Sequence, residues 1–146
     1  MTTNITPDPA AIVPGTVLPE WRVRPTNLQL FRFSAVTWNA HRIHYDQEYA
    51  RVEGYPNVLV QSHLHGAFLA EALVAWLGQD LLFRELSWRN KHYAVPGDEL
   101  TVSGTVVAVE REAGEHVFEI DLAEHNQGGT LCAPGRAVVV TGGARR

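Results

Sequence analysis

The spacing of apolar positions changes about halfway along the chain, from three or four residues to two. In the first half, Thr26 follows Pro25 and is placed to cap a helix whose apolar positions Leu28, Phe31, Ala35 and Trp38 fall on one face. Asp46 can cap a second, short helix from Gln47 to Val52, which Gly54 and Pro56 end. Between Leu64 and Leu77 only His65, Gly66 and Glu71 are not apolar, so this stretch, as a helix, demands burial on most sides. A membrane span needs about 20 apolar residues. This run is shorter and carries Glu71, so a core helix ended by Gly78 is expected.

The second half reads as strands. Leu86 and Trp88 alternate with Ser87 and Arg89, Leu100, Val102 and Val106 with Thr101, Ser103 and Thr105, and Phe118, Ile120 and Leu122 with Glu119, Asp121 and Ala123. Pro96-Gly97-Asp98, the polar stretch around Gly114 and the pair Gly128-Gly129 supply turns, and Ala137 to Val140 reads as a last strand. Helices followed by a meander of half-buried strands predict an α+β fold with the long apolar helix laid on one face of an antiparallel sheet.

The 146 residues suit a single domain. Residues 1–16, with Pro7, Pro9 and Pro14 and no apolar period, are expected to form an extended arm outside the core, and 17–146 the folded domain. Twelve Lys+Arg against 16 Asp+Glu give a net charge of −4, which disfavours nucleic-acid binding; the basic pair Arg145 and Arg146 reads as a solvated tail. A lone cysteine, Cys132, excludes an internal disulfide and a Cys-based zinc site. The first fifteen residues lack the basic and apolar regions of a secretory signal, so a cytoplasmic, reducing setting is expected, with no membrane partner.

Seven histidines carry the candidate chemistry, four of them, His41, His44, His63 and His65, in two short runs around the start of the core helix. A metal site is disfavoured: His63 and His65 diverge by roughly 200° on a helix, and no His-Glu-x-x-His pattern is present. Proton chemistry is the other use. His44 lies between two helical segments, and an imidazole of pKa about 6.5 can take and return a proton near neutral pH.

The run Phe33-Ser34-Ala35-Val36-Thr37-Trp38-Asn39-Ala40-His41-Arg42-Ile43-His44-Tyr45-Asp46, followed by Tyr49-Ala50 and Gly54-Tyr55-Pro56, resembles the hydratase motif of the MaoC-like hot-dog family. The similarity is to the branch of mesaconyl-CoA and itaconyl-CoA hydratases and fatty-acid-synthase dehydratase-like proteins. It continues through Leu59-Val60-Gln61-Ser62, Ser87-Trp88-Arg89-Asn90 and Pro96-Gly97-Asp98-Glu99-Leu100, and so covers roughly Val17 to Val140. The resemblance implies a single hot-dog domain, a long central helix wrapped by an antiparallel sheet. It implies interconversion of 2-enoyl and 3-hydroxyacyl thioesters of coenzyme A or acyl carrier protein, with no cofactor beyond that carrier, in a homodimer or larger assembly sharing a substrate tunnel, the site drawing the His44 loop from one protomer and the helix start near Ser62 from the other.

The family's D-x-N-P-x-H pattern lands its histidine on His44 and its aspartate on Asn39, which cannot exchange a proton near neutral pH and can only hold a water. Where many relatives have His-Gly at the head of the core helix, this chain has Gln61-Ser62-His63, and these three become the candidate substrate-binding residues, with a backbone N–H of Ser62 or His63 facing the thioester oxygen. Arg42 and Arg89 are candidate contacts to coenzyme phosphates or a substrate carboxylate. Two alternatives stand beside the hydratase: a hot-dog thioesterase, for which Glu71 is the sole acid within the core helix, and an acyl-binding partner subunit made silent by Asn39.

Overall fold

The computed structural model describes residues 6–142. In chain order the elements are a 3-10 turn (Pro9–Ala11), β1 (Trp21–Val23), α1 (Asn27–Thr37), a second 3-10 turn (Arg42–His44), α2 (Gln47–Val52), α3 (Ser62–Leu77), β2 (Leu82–Trp88), β3 (Leu100–Glu112), β4 (Glu115–His125) and β5 (Leu131–Thr141). The strands form one sheet, ordered β1-β3-β4-β5-β2 and antiparallel at every pairing; only β3, β4 and β5 follow the expected meander, since the long connection after Trp88 leaves β2 on β5 and gives the edge of β3 to β1. The helix α3 packs on one face of that sheet, the arrangement the hot-dog resemblance implies. Leu64, Phe68, Leu69, Ala72, Leu73 and Leu77 of α3 bury against Leu100, Val102 and Val106 of β3, Phe118, Ile120 and Leu122 of β4 and Ala137 and Val139 of β5. Each such large side chain contributes roughly 1.5–3 kcal/mol by leaving water. Among the described residues no helix is long and apolar enough to cross a membrane.

The capping predictions hold. Thr26 Oγ1 accepts from the N–H of Gln29 at 3.1 Å, and Asp46 Oδ1 from that of Tyr49 at 3.0 Å. The face of α1 is different from the one its apolar spacing suggests. Leu28, Phe31 and Trp38 are 62%, 58% and 93% exposed, whereas Leu30 and Ser34 are buried. A polar contact decides this: the fully buried Gln61 side chain donates to the Leu30 carbonyl at 2.7 Å and to Ser34 Oγ at 2.9 Å, turning that face of α1 inward.

Two further departures concern the strands and the arm. The last strand begins at Leu131 rather than Ala137, because Leu131 to Arg136 pair with β4; Pro134 and Gly135 hide this half of the strand from any alternation rule. The described part of the expected arm lies on the sheet. Gly15 N–H donates to the Val106 carbonyl at 2.7 Å and Leu18 N–H to that of Gly104 at 2.9 Å, while Ile12 is only 2% exposed and belongs to the core. Arg145 and Arg146 lie outside the described residues, as do residues 1–5.

The head of α3 meets the sheet through Trp88, whose indole N–H donates to the Ser62 carbonyl at 2.9 Å. This needs a glycine beneath the ring, since a Cβ on Gly66 would come within 2.4 Å of Trp88 Cζ2. Gly66→Ala is therefore expected to destabilise the fold by about 1 kcal/mol or more, the overpacking outweighing alanine's better helix propensity. Urea unfolding of the variant checks this, and equal or higher stability would show that the indole moves aside freely.

Candidate active site

His44 closes the 3-10 turn that follows α1. The turn is built from local bonds: Asn39 Oδ1 accepts from His41 N–H at 3.3 Å, His41 Nδ1 accepts from Ile43 N–H at 3.2 Å, and Tyr45 Oη donates to the Ala40 carbonyl at 2.8 Å. Two contacts then tie the turn to the segment entering α3. Leu59 N–H donates to the Ile43 carbonyl at 2.9 Å, and His44 Nδ1 lies 2.8 Å from the Leu59 carbonyl. A carbonyl can only accept, so Nδ1 carries the proton and the lone pair of neutral His44 is on Nε2. Burial pushes this imidazole below its ordinary pKa; the Leu59 carbonyl opposes the shift and His41 adds to it.

His44 borders a cleft of about 730 Å³, shared by Asn39, His41, Tyr55, Ser62, His63, His65, Lys91 and His92, among others. Two distant parts of one chain, the turn after α1 and the head of α3, thus converge on one space, where the two were expected from different protomers; the bonds from Ile43 and His44 to Leu59 hold them together within the protomer. The first turn of α3 has no side-chain cap from Gln61, which leaves its N–H groups at Ser62 and His63 with the positive end of the helix dipole.

The structure brings four of the six predicted site residues together: Asn39, His44, Ser62 and His63. It places the other two elsewhere. Gln61 is fully buried as the pin between α3 and α1. Arg42 is bound to Asp46 through Nε at 3.0 Å and Nη2 at 2.6 Å and stacks over Tyr49, with its charge centre 4.8 Å from the ring centroid. Its role is to hold α2 against the turn. Arg89, by contrast, lines an open groove with Lys91, and Lys91 also borders the cleft. The acid considered for a thioesterase, Glu71, borders a different groove, between α1 and α3, with its pKa raised by burial.

His63 and His65 point to different neighbours, as helical spacing requires. His63 packs edge-on against Trp88, with ring centroids 6.0 Å apart, whereas His65 Nδ1 lies 2.5 Å from the buried carboxylate of Glu124. Among the described residues no group of three or more His, Cys, Asp or Glu side chains is placed to hold a metal ion. Sequence reasoning missed the His65–Glu124 pair, although extending the β4 alternation of Phe118, Ile120 and Leu122 by one step puts Glu124 on the buried face.

A family model for hydroxyacyl-thioester dehydratase type 2 matches residues 6–96. The mitochondrial hydroxyacyl-thioester dehydratase type 2 of Saccharomyces cerevisiae is 30% identical over 103 residues, 69% of this chain and 35% of that protein. The mesaconyl-C(4)-CoA hydratase of Chloroflexus aurantiacus is 51% identical over 57 residues, 38% of this chain and 18% of the hydratase. The chain thus spans about a third or less of the length of these relatives. Among solved structures, the (R)-hydratase from A. caviae involved in PHA biosynthesis superposes with a TM-score of 0.80 at 22% identity, covering 88% of this chain and 96% of that one. A MaoC domain protein from Chloroflexus aurantiacus gives 0.86 at 13% identity over 99% of this chain and 43% of its own.

The burial of His44 has a signature in solution. Its imidazole is expected to titrate below the ordinary value of about 6.5 in an NMR titration. Between that lower midpoint and about 6.5 the unfolded chain binds more protons than the folded one, so stability falls as the pH drops through this window. His44→Gln should flatten that dependence, measured as urea midpoints against pH; an unchanged slope would assign the acid sensitivity to other groups.

Proposed function

The chain belongs to the hydroxyacyl-thioester dehydratase type 2 family, and on that premise we propose that it interconverts 2-enoyl and 3-hydroxyacyl thioesters. The observation that carries this reading is His44, held by the Leu59 carbonyl in the tautomer whose Nε2 can accept a proton, beside Asn39 in a cleft that the head of α3 closes. In the hydration direction Asn39 holds a water: its Oδ1 is turned back to His41, and its NH2 donates to the water oxygen. His44 Nε2 takes a proton from that water as its oxygen bonds to carbon 3. The electrons of the double bond move toward the thioester oxygen, which the N–H groups of Ser62 and His63 stabilise, and carbon 2 then gains a proton. A lowered pKa keeps His44 neutral and able to act as base near pH 7.

The acyl group travels on coenzyme A or an acyl carrier protein, and the protein requires no resident cofactor for this proton chemistry. Arg89 and Lys91, along the groove that adjoins the cleft, are the residues we assign to the carrier's phosphates in place of Arg42. We place the protein in a reducing compartment such as the cytoplasm: Cys132 is free and buried, and burial pushes its thiol pKa up to about 11.

The active form we propose is a homodimer. Strand β2 closes one end of the sheet, pairs only with β5 there, and carries Leu82 and Phe83 at 60% and 38% exposure. A seven-residue strand whose outer edge has no neighbouring strand, with exposed apolar side chains, suits an edge that a second copy continues.

Two measurements check these readings. With crotonyl-CoA, the enoyl absorbance should fall without release of free thiol; thiol release would indicate a thioesterase, and neither signal a silent subunit. His44→Ala should lower turnover by about 10²–10⁴ and Asn39→Ala by at least about tenfold, with smaller effects on KM. In light scattering the wild type should weigh as a dimer at micromolar concentration and Phe83→Lys as a monomer. A wild-type monomer overturns the assembly.

A further inference from the structure

The buried face of β4 is apolar at Phe118, Ile120 and Leu122 and then carries a carboxylate, Glu124, at 0% exposure. Oε1 lies 2.5 Å from His65 Nδ1, and Oε2 has no hydrogen-bond partner among the described residues. A lone buried carboxylate is costly to desolvate, so this position calls for a partner that carries a proton. His65, itself 2% exposed, is that partner. An ionised carboxylate only accepts, so Nδ1–H donates to it and Nε2 is left to hold or release a second proton. His65 also borders the cleft that His44 and Asn39 line.

Hydration moves one proton off the attacking water and puts one on carbon 2. Of the cleft residues given a part in the reaction so far, only the His44 side chain exchanges a proton near neutral pH. His44 has Nδ1 committed to Leu59, and Asn39 exchanges no proton near neutral pH. We propose that His65, oriented by Glu124, supplies the proton to carbon 2 in hydration and removes it in dehydration, an inference that rests on the thioester hydratase reading. The step balances. Imidazolium His65 breaks its Nε2–H bond as the new C2–H bond forms and the enolate electrons leave the thioester oxygen; His44 holds the proton taken from water. His65 ends neutral with its Nδ1–H still on Glu124, and both imidazoles return to their starting states by exchange with solvent water. Glu124 is a positioning residue that fixes the tautomer and balances the imidazolium charge.

The test pairs kinetics with a measurement that needs no turnover. In crotonyl-CoA hydration, His65→Gln should lower kcat by about 10² or more while KM stays within about threefold. Glu124→Gln should give a smaller loss of kcat. In ¹⁵N spectra of histidine-labelled wild type, the unreactive thioester butyryl-CoA should shift the Nε2 signals of both His44 and His65, and Glu124→Gln should change the tautomer signature of His65 alone. A kcat for folded His65→Gln within twofold of wild type, or a His44 shift with His65 unmoved, overturns the inference and leaves the hydratase reading standing. If wild type neither hydrates crotonyl-CoA nor shows a shift at either imidazole, the thioester reading falls and this one with it. Should His65→Gln fail to fold, the wild-type spectra decide.

Discussion

Burying α3 on nearly every side is the constraint that organises this molecule. Its apolar length brings Phe68, Leu69 and Leu73 to zero exposure against the sheet, and that placement also buries two polar residues at its head, Gln61 and His65. Gln61 and His65 are almost wholly buried there, at 0% and 2% exposure, so each needs a partner fixed by the fold. Gln61 finds the Leu30 carbonyl and Ser34 on α1, and His65 finds Glu124 on β4. These bonds hold α1 and β4 at the helix head, and the turn with His44 follows directly from α1. The position of the candidate base is therefore a consequence of satisfying buried polar groups.

Much of this was legible in the chain itself, and the failures have identifiable causes. The change of period reveals the central helix and the longer strands, because a face that alternates between core and solvent records its period in composition, but not the sheet order, in which β2 lies beside β5 and not beside β3. The inward face of α1 was misread because the larger aromatic and aliphatic residues, Phe31 and Trp38 among them, look outward, while the core takes Leu30 and Ser34 to meet an amide more than twenty residues away. Strand β1 has three residues, too few to show any alternation, and β5 is interrupted by Pro134 and Gly135. His44, Asn39, Ser62 and His63 were found through a motif that runs along the chain. Glu124 is 59 residues from His65, and only the sheet register brings them into contact.

His44 and His65, two of the five imidazoles that border the cleft, are held by different means, and the difference suits different chemistry. A neutral carbonyl orients His44 without adding charge, so burial acts on it unopposed by any anion and favours the neutral base. His65 meets a carboxylate, which can balance a positive ring. Asn39, placed between charge states by having none, leaves His44 free of the attraction that an aspartate at the same position would exert.

Trp88 and Gly66 are in effect one structural decision written at two positions. The indole can lie over the helix only because residue 66 has no side chain, and its N–H occupies the Ser62 carbonyl at the edge of the cleft. A divergent copy of this domain could not enlarge residue 66 without shrinking residue 88, and shrinking residue 88 would strip the donor from Ser62. The pair should therefore covary as a unit, and its paired substitutions would mark lineages in which the mouth of the cleft had been rebuilt.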